Sequence, residues 1–361
     1  MSRATATLNL VVVAGDGIGP EVTSAAIQVL QAALHRGGIN LEVTHHLIGG
    51  VAIDTVGSPL PAPTLAAARA ADAVFLGAVG GPAWDGGTER PEAGLLGLRR
   101  GLEVFANLRP VRVWPGAEGH SPLRPERVTG ADIMFVRELT GGAYFGRPQG
   151  VAGKPPRRRG VDTMEYGEAE IQRVARVAFS AARSRRHRLA SVDKANVLAT
   201  SRLWREVVSE VARDFPDVAL EHCLVDSFAL RLLLDPGAFD VVVTENLFGD
   251  ILTDEAAALV GTLGVLPSAS GGGEGPWLYE PVHGSAPDLA GRGIANPMGA
   301  IATAAMLLRL SLGREDLAAT VDDALAFVFA NGPLTPDLGG SASTAAVTAA
   351  ILDRVAAGVA R

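Results

Sequence analysis

The strongest constraint on the fold is the alternation of short apolar runs with longer segments whose apolar residues recur at helical spacing. In the N-terminal part, residues 8–14 form an apolar run and residues 15–19 contain three glycines typical of a turn. Pro20 and Glu21 suit the first turn of a helix. Apolar residues between positions 22 and 34 then fall on one helical face. The pattern predicts an α/β protein.

The same alternation continues along the chain, and no fixed-period repeat accompanies it. Further strands are predicted at residues 41–48, 73–79, 131–136, 188–192, 218–222 and 239–244. Long helices are predicted at residues 167–186, 201–214, 227–234, 297–312, 316–329 and 344–357. Two Gly-rich loops, at residues 146–160 and 268–276, could be an arm for subunit contact and a binding loop, or ordinary turns.

Composition excludes several classes of protein. Of 361 residues, 48% are hydrophobic and 20% charged, which suits a globular chain rather than a disordered one. The net charge of −7 argues against a nucleic-acid partner. The longest apolar stretches, near residues 256–266 and 300–308, are shorter than the roughly 20 residues of a membrane span. A single cysteine, Cys223, and the lack of a signal-like N-terminus predict a cytoplasmic protein.

The glycines of the first turn do not match the usual nucleotide-binding motifs. In Gly15-Asp16-Gly17-Ile18-Gly19-Pro20, the third glycine of a Rossmann fingerprint would fall on Pro20. A Walker A loop is also excluded, because no Gly-Lys-Ser/Thr follows. If a dinucleotide binds, it binds in some other way.

Lysine is almost absent: the chain has 30 arginines and two lysines, Lys154 and Lys194. Lys154 belongs to an Arg-rich loop. Lys194 follows the carboxyl end of a predicted strand, a position typical of active-site residues in α/β proteins. An amine can lose its proton near neutral pH, whereas a guanidinium cannot. Lys194 is therefore either a group that transfers protons or a lysine that is present by chance without a chemical role.

Acidic and basic side chains suggest a site for a metal ion and carboxylates. Asp250 and Asp254 are four residues apart on a predicted helix, where they repel unless a positive charge lies between them. They could bind Mg²⁺ or Mn²⁺, or could be a helix cap and a solvated side chain. Arg109 and Arg137, with Arg99, could grip carboxylates, although surface ion pairs are the ordinary use of arginine.

Two further groups carry possible chemistry. Tyr144, which lies beside flexible glycines, could donate a proton or simply pack. In residues 280–288, a histidine, a Gly-Ser-Ala run and Asp288 could meet a ribose, and Asn296 follows downstream.

Taken together, these segments resemble the β-decarboxylating dehydrogenases of the isocitrate/isopropylmalate dehydrogenase family, over essentially the whole chain. The resemblance is carried by residues 15–21, 80–85, 90–99, 137–142, 192–197, 248–254 and 280–288. The sequence departs from the family mainly in a short, Arg- and Pro-rich segment at 150–162 and in the glycines at 271–273.

The resemblance implies an α/β protein with two domains, built of mixed sheets flanked by helices and not a Rossmann fold. Residues 1–104 and 261–361 would form a first, cofactor-side domain, and residues 105–260 a second domain for dimer contact, metal and substrate. It also implies a homodimer, with the active site between the domains and with Lys194 and Asp226 acting across the subunit interface.

The resemblance also implies a role for each candidate residue. Lys194 would accept a proton and Tyr144 would donate one. Arg99, Arg109, Arg137 and Asp226 would bind the substrate, and Asp226, Asp250 and Asp254 would bind Mg²⁺ or Mn²⁺. NAD would lie along Glu280, His283, Gly284, Ser285, Ala286, Asp288 and Asn296. Asp288 favours NAD over NADP, because its carboxylate repels a 2′-phosphate.

Substrate choice is implied by Glu92, Leu95 and Leu96, since the two leucines offer apolar surface to an isopropyl group. The expected reaction is oxidation and decarboxylation of (2R,3S)-3-isopropylmalate to 4-methyl-2-oxopentanoate and CO₂ with reduction of NAD, in leucine biosynthesis. Related enzymes acting on D-malate, tartrate or homoisocitrate are alternatives. A catalytically silent subunit or a carboxylate-binding protein would lack part of the Lys194, Tyr144 and aspartate set.

Overall fold

The computed structural model describes residues 6–358, in which strands and helices alternate as the sequence predicts. The strands are β1 Thr7–Gly15, β2 Asn40–His45, β3 Ala73–Ala78, β4 Ala106–Arg112, β5 Asp132–Glu138, β6 Gly150–Ala152, β7 Arg159–Val161, β8 Arg188–Asp193, β9 Ala219–Leu224, β10 Val241–Thr244, β11 Pro267–Gly271 and β12 Trp277–Pro281. The helices are α1 Gly19–Arg36, α2 Gly50–Val56, α3 Ala62–Ala70, α4 Pro91–Gly101, α5 Pro125–Val128, α6 Glu168–Arg183, α7 Ala199–Val211, α8 Val225–Leu234, α9 Asn246–Ala256, α10 Met298–Leu310, α11 Glu315–Asn331 and α12 Thr344–Ala357.

The described chain divides into two compact units. Unit 1 contains residues up to 104, the short stretch 114–120 and the residues from 260 onward, and unit 2 contains residues 105–113 and 121–259. Both ends of the chain therefore contribute to one unit, and a continuous middle segment forms most of the other.

Unit 1 is built on strands in the order β2-β1-β3-β12-β11. The first three strands and β12 are parallel, and β11 runs antiparallel to β12, so the sheet is mixed. Every residue of β3 is buried, as expected for a strand covered on both faces. Helix α1 packs on β3 and on α10 and α12. Its buried side chains, such as Val22, Val29 and Leu30, recur at helical spacing.

Unit 2 has strands in the order β4-β5-β10-β8-β9. Strand β4 is antiparallel to β5, and the others pair in parallel. Helix α6 packs on β5, β8 and β10, and α8 packs against α9. A second sheet of two short antiparallel strands, β6 and β7, lies in the loop at residues 146–160, which the sequence left open between an arm and an ordinary turn; all six of its residues are exposed.

The turn after β1 explains why its glycines are needed. Gly17 has a φ of +58°, and a Cβ there would lie 1.9 Å from the carbonyl oxygen of Ser285. Ile18 N donates to that same oxygen at 2.8 Å. The motif that fails as a Rossmann fingerprint thus lets the backbone of the first turn approach the loop after β12.

None of the helices in residues 6–358 combines the length and the apolar character that crossing a membrane requires.

Candidate active site

Helix α9 carries the two aspartates that the sequence singles out. Asp250 and Asp254 are one turn apart and lie on the same side of the helix, close to guanidinium groups from β4 and β5. Arg137 Nη1 donates to Asp250 Oδ1. Arg109 lies 3.7 Å from Asp250 and 3.9 Å from Asp254, so a positive charge stands between the two carboxylates.

The two carboxylates differ in electrostatic environment. Burial alone would raise the pKa of Asp250, but the Arg137 charge, a Tyr144 hydrogen bond and Arg109 outweigh it and lower that pKa. Burial raises the pKa of Asp254, opposed by Arg109 and reinforced by the charge of Asp250. Asp254 is the more open of the two, with 59% of its side chain exposed. Paired carboxylate oxygens of this kind suit a hard divalent cation.

Tyr144 joins this cluster from the short 3₁₀ turn after β5. Its hydroxyl donates to Asp250 Oδ2 at 2.8 Å, and the Arg137 guanidinium lies 5.8 Å from the centre of its ring. Burial and then the hydrogen bond to Asp250 raise the pKa of the phenol. Tyr144 is therefore protonated at neutral pH and able to donate a proton.

Lys194 lies directly after β8, where the sequence places it. Its Nζ donates to Asp226 Oδ1 at 2.6 Å, in the first turn of α8. That hydrogen bond lowers the pKa of Asp226. In residues 6–358, no group of three or more His, Cys, Asp or Glu side chains is arranged to hold a metal ion. A single chain therefore does not gather Asp226 with Asp250 and Asp254.

Helix α4 in unit 1 presents the residues expected to choose the substrate. Glu92, Leu95, Leu96 and Arg99 are spaced by three or four residues and so share one side of the helix. Leu96 is exposed and Leu95 half-buried, so apolar surface is available beside a cation. Arg99 Nη2 donates to Glu280 Oε1 at 2.5 Å, which ties α4 to the end of β12.

The loop after β12 carries the expected cofactor residues. His283 Nδ1 donates to the Gly284 carbonyl at 2.9 Å, and burial lowers the pKa of the imidazole. Its Nε2 is buried without a hydrogen-bond partner in the described part of the chain. Ala286 has a φ of +38°, and Asp288 is exposed in the 3₁₀ turn that follows. An acceptor nitrogen and an exposed carboxylate therefore flank one backbone bend.

Asn296 belongs to a second cofactor-side segment of unit 1. Its Oδ1 accepts from Met298 N at the start of α10, and its Nδ2 donates to Asp337 at 3.0 Å. The preceding Ala295 N donates to Glu21 Oε1 at 3.1 Å. Glu21, in the first turn of α1, thus accepts a hydrogen bond from the backbone next to Asn296, and Ile18 N donates one to the backbone carbonyl of Ser285.

Sequence reasoning missed the neutral partners of the two buried arginines. Asn246 Oδ1 accepts from Arg137, and Asn107 Oδ1 and Thr253 Oγ1 accept from Arg109. A signal was present for two of them: Asn246 precedes Asp250 by four residues and Thr253 follows it by three, so all three lie on one side of α9.

Comparison with known proteins identifies the family of the chain. Residues 9–355 match the family described as isocitrate/isopropylmalate dehydrogenase. A 3-isopropylmalate dehydrogenase of Anaeromyxobacter dehalogenans is 56% identical over 96% of this chain and 99% of its own, and one from Halalkalibacterium halodurans is 52% identical over 97% and 98%.

Solved structures point to the same family. The isocitrate dehydrogenase of Methylococcus capsulatus has a TM-score of 0.86 at 34% identity, covering 97% of this chain and 99% of its own. A β-decarboxylating dehydrogenase of Thermococcus kodakarensis has a TM-score of 0.79 at 36% identity, covering 96% of each chain. The chain is thus an oxidoreductase and belongs to the isocitrate/isopropylmalate dehydrogenase family.

Proposed function

We propose that this chain catalyses the oxidative decarboxylation of (2R,3S)-3-isopropylmalate to 4-methyl-2-oxopentanoate and CO₂, with reduction of NAD, as a step of leucine biosynthesis. The observation that carries the proposal is the cluster on α9, where two guanidinium groups, two carboxylates and a phenol converge. The names of relatives at 52–56% identity support the choice of substrate.

Substrate binding would rest on arginine forks and on α4. Arg109 and Arg137 would bind substrate carboxylates together with Arg99, because planar guanidinium groups match carboxylates bidentately. Leu95 and Leu96 would receive the isopropyl group, which removes apolar surface from water. An isocitrate or homoisocitrate side chain would instead leave a carboxylate against apolar surface, which is costly.

The residues present fit a divalent metal and a dinucleotide. Asp250 and Asp254 would hold Mg²⁺ or Mn²⁺ with Asp226 of a second chain, since one chain does not gather the three. NAD would lie along residues 283–288 and Asn296, with the buried Nε2 of His283 as an acceptor and Asp288 at the ribose. When bound, the cation would polarise the C2 oxygen, and NAD would accept the hydride from C2.

The chain's own residues would move the protons. Lys194, in its neutral form, would take the proton of the C2 hydroxyl as oxidation proceeds. The electron pair of the broken C–C bond then requires a proton at C3 after CO₂ leaves. Tyr144 would supply that proton, because its raised pKa keeps the phenol protonated until then. Asp250 accepts the Tyr144 hydrogen bond and so fixes its direction.

A homodimer is part of the proposal, and it is supported by exposed apolar side chains of unit 2. Helices α8 and α9 leave Leu230, Leu234 and Ile251 from 50% to 62% exposed, and Val151 on the two-stranded arm is 76% exposed. A contiguous apolar patch is characteristic of interfaces, and in the proposed dimer a second copy would cover these side chains. A cytoplasmic location is also proposed, in keeping with the single cysteine.

The experiment is an NADH absorbance assay of the purified chain with a panel of acids: 3-isopropylmalate, isocitrate, homoisocitrate, D-malate and tartrate. Each acid is tested with NAD and with NADP, in Mg²⁺ and in EDTA. We expect turnover of 3-isopropylmalate with NAD and Mg²⁺ and its loss in EDTA. Faster turnover of another acid would overturn the substrate assignment, and turnover unaffected by EDTA would overturn the proposed requirement for a divalent metal.

A further inference from the structure

Two buried arginines at the proposed substrate site are oriented by neutral groups. Arg137 is 5% exposed, and its Nε and Nη2 donate to Asn246 Oδ1 at 3.0 and 2.8 Å. Asn246 is 2% exposed, and its own Nδ2 donates to the Gly141 carbonyl at 3.3 Å. That second hydrogen bond fixes which end of the amide faces the guanidinium.

Arg109 is held in the same manner. Its Nε donates to Asn107 Oδ1 at 2.6 Å, and its Nη1 donates to Thr253 Oγ1 at 2.7 Å. Both partners are fully buried. The Thr253 hydroxyl donates to the Gly249 carbonyl at 2.8 Å, so its lone pairs face the arginine. Each guanidinium therefore donates from two of its nitrogens to oxygens that carry no net charge, while Nη1 of Arg137 donates to Asp250.

The choice of neutral acceptors has an electrostatic consequence. A carboxylate in the place of Asn246 would orient Arg137 equally well but would place a second negative charge beside it, after Asp250, in a buried setting where charge interactions are strong. An amide or hydroxyl oxygen fixes the guanidinium plane without adding negative charge to the cluster. Asp250 and Asp254 already balance the two guanidinium charges, so a further carboxylate would make the cluster net negative and repel an anionic substrate.

We propose that Asn246 is a positioning residue for Arg137, and Thr253 for Arg109. Together they hold the two guanidinium groups in orientation for a dianionic hydroxy acid without adding negative charge beside them. This inference rests on the proposed function for the identity of the acid. It adds that affinity for the acid depends on neutral side chains that do not themselves touch it.

The first test compares Asn246→Ala with Asn246→Asp. We expect KM for 3-isopropylmalate to rise on the order of tenfold in Asn246→Ala, because the guanidinium loses its fixed orientation. Asn246→Asp should raise KM for 3-isopropylmalate at least as much, because the added negative charge repels the anionic substrate. KM for NAD should stay unchanged in both. Asn331, exposed at the end of α11, supplies matched control substitutions to Ala and Asp that should alter neither constant.

A second pair of variants, at Thr253, distinguishes loss of the hydrogen-bond acceptor from general misfolding. Thr253→Val removes the acceptor at constant shape, and Thr253→Ser retains it. Binding of malate to the Asn246 and Thr253 variants is measured by calorimetry in EDTA without NAD, so that neither metal binding nor turnover contributes to the signal. We expect weaker malate binding in Thr253→Val and near-native binding in Thr253→Ser, with all melting temperatures recorded.

Several outcomes overturn the inference: an Asn246→Asp enzyme with native or lower KM for the acid, equal effects of Thr253→Val and Thr253→Ser, or absence of malate binding by the unmodified chain. If the unmodified chain binds malate but does not oxidise 3-isopropylmalate, the proposed function fails. In that case the calorimetric comparison alone decides the role of Asn246 and Thr253.

Discussion

Among single residues, Lys194 offers the sharpest test because the chain has only two lysines among 32 Lys and Arg. Lys194→Arg retains the positive charge and can retain the ion pair with Asp226, but a guanidinium does not lose its proton near neutral pH. We expect kcat to fall by roughly 10²–10⁴, as for loss of a general base, with little change in KM. Near-native kcat for this variant in the NADH assay would refute the role of Lys194. The control is Arg176→Lys, which makes a similar charge-conserving exchange in the exposed ion pair with Asp214.

Cys223 provides a second prediction that depends on one side chain. The thiol is 4% exposed, and burial, with the nearby Glu221 charge, raises its pKa to about 11. Because only the thiolate reacts, alkylation by iodoacetamide at pH 8 should be more than about a hundredfold slower in the native chain than in guanidinium chloride. The native rate should rise as pH approaches 11. With a single cysteine, the incorporated mass reports this site alone, and rapid native labelling at pH 8 would show that the pKa is not raised.

At the level of helices and strands, helix α9 depends on a buried N-terminal cap, which fixes the start of the helix and so the positions of its polar residues. Glu245 accepts from Leu247 N and Phe248 N, and the Tyr166 hydroxyl accepts from Asn246 N and donates to Glu245. Tyr166→Phe leaves buried polar groups unpaired, so the free energy of unfolding should fall by about 1–3 kcal/mol in urea titration. Tyr279→Phe, which removes a hydroxyl bonded to Ser311, is a control for loss of a phenol remote from α9. Equal stability of Tyr166→Phe and the unmodified chain would exclude the cap.

The elements also show how far the sequence could lead. The predicted strands and long helices are confirmed, because unbroken apolar runs and helical spacing mark them. Strand β4 was missed since Arg109 and Pro110 interrupt its apolar pattern, and β11 because its buried residues are small. The sequence pointed to Asp250 and Asp254 from their spacing. It did not reveal that Asn246 holds Arg137, because that hydrogen bond joins residues 109 apart.

For the whole molecule, the central question is whether two chains are needed for one site. Lys194 and Asp226 pair with each other in one chain, while Asp250 and Asp254 lack a third acidic neighbour in the described residues. The proposed dimer would supply it. Exposed apolar side chains of α8 and α9, such as Leu230 and Ile251, mark the surface that a second copy would cover.

Leu230→Asp with Ile251→Asp should therefore convert the protein from a dimer to a monomer, because burying two carboxylates in an apolar interface is costly. Light scattering coupled to size exclusion should give a mass of one 37.2 kDa chain for this variant and twice that for the unmodified protein. Activity with 3-isopropylmalate should be lost together with the dimer. Val56→Asp, at a position 56% exposed in unit 1, should change neither mass nor activity. A fully active monomer would show that one chain completes the site alone, and Asp226 would then have no place among the metal ligands.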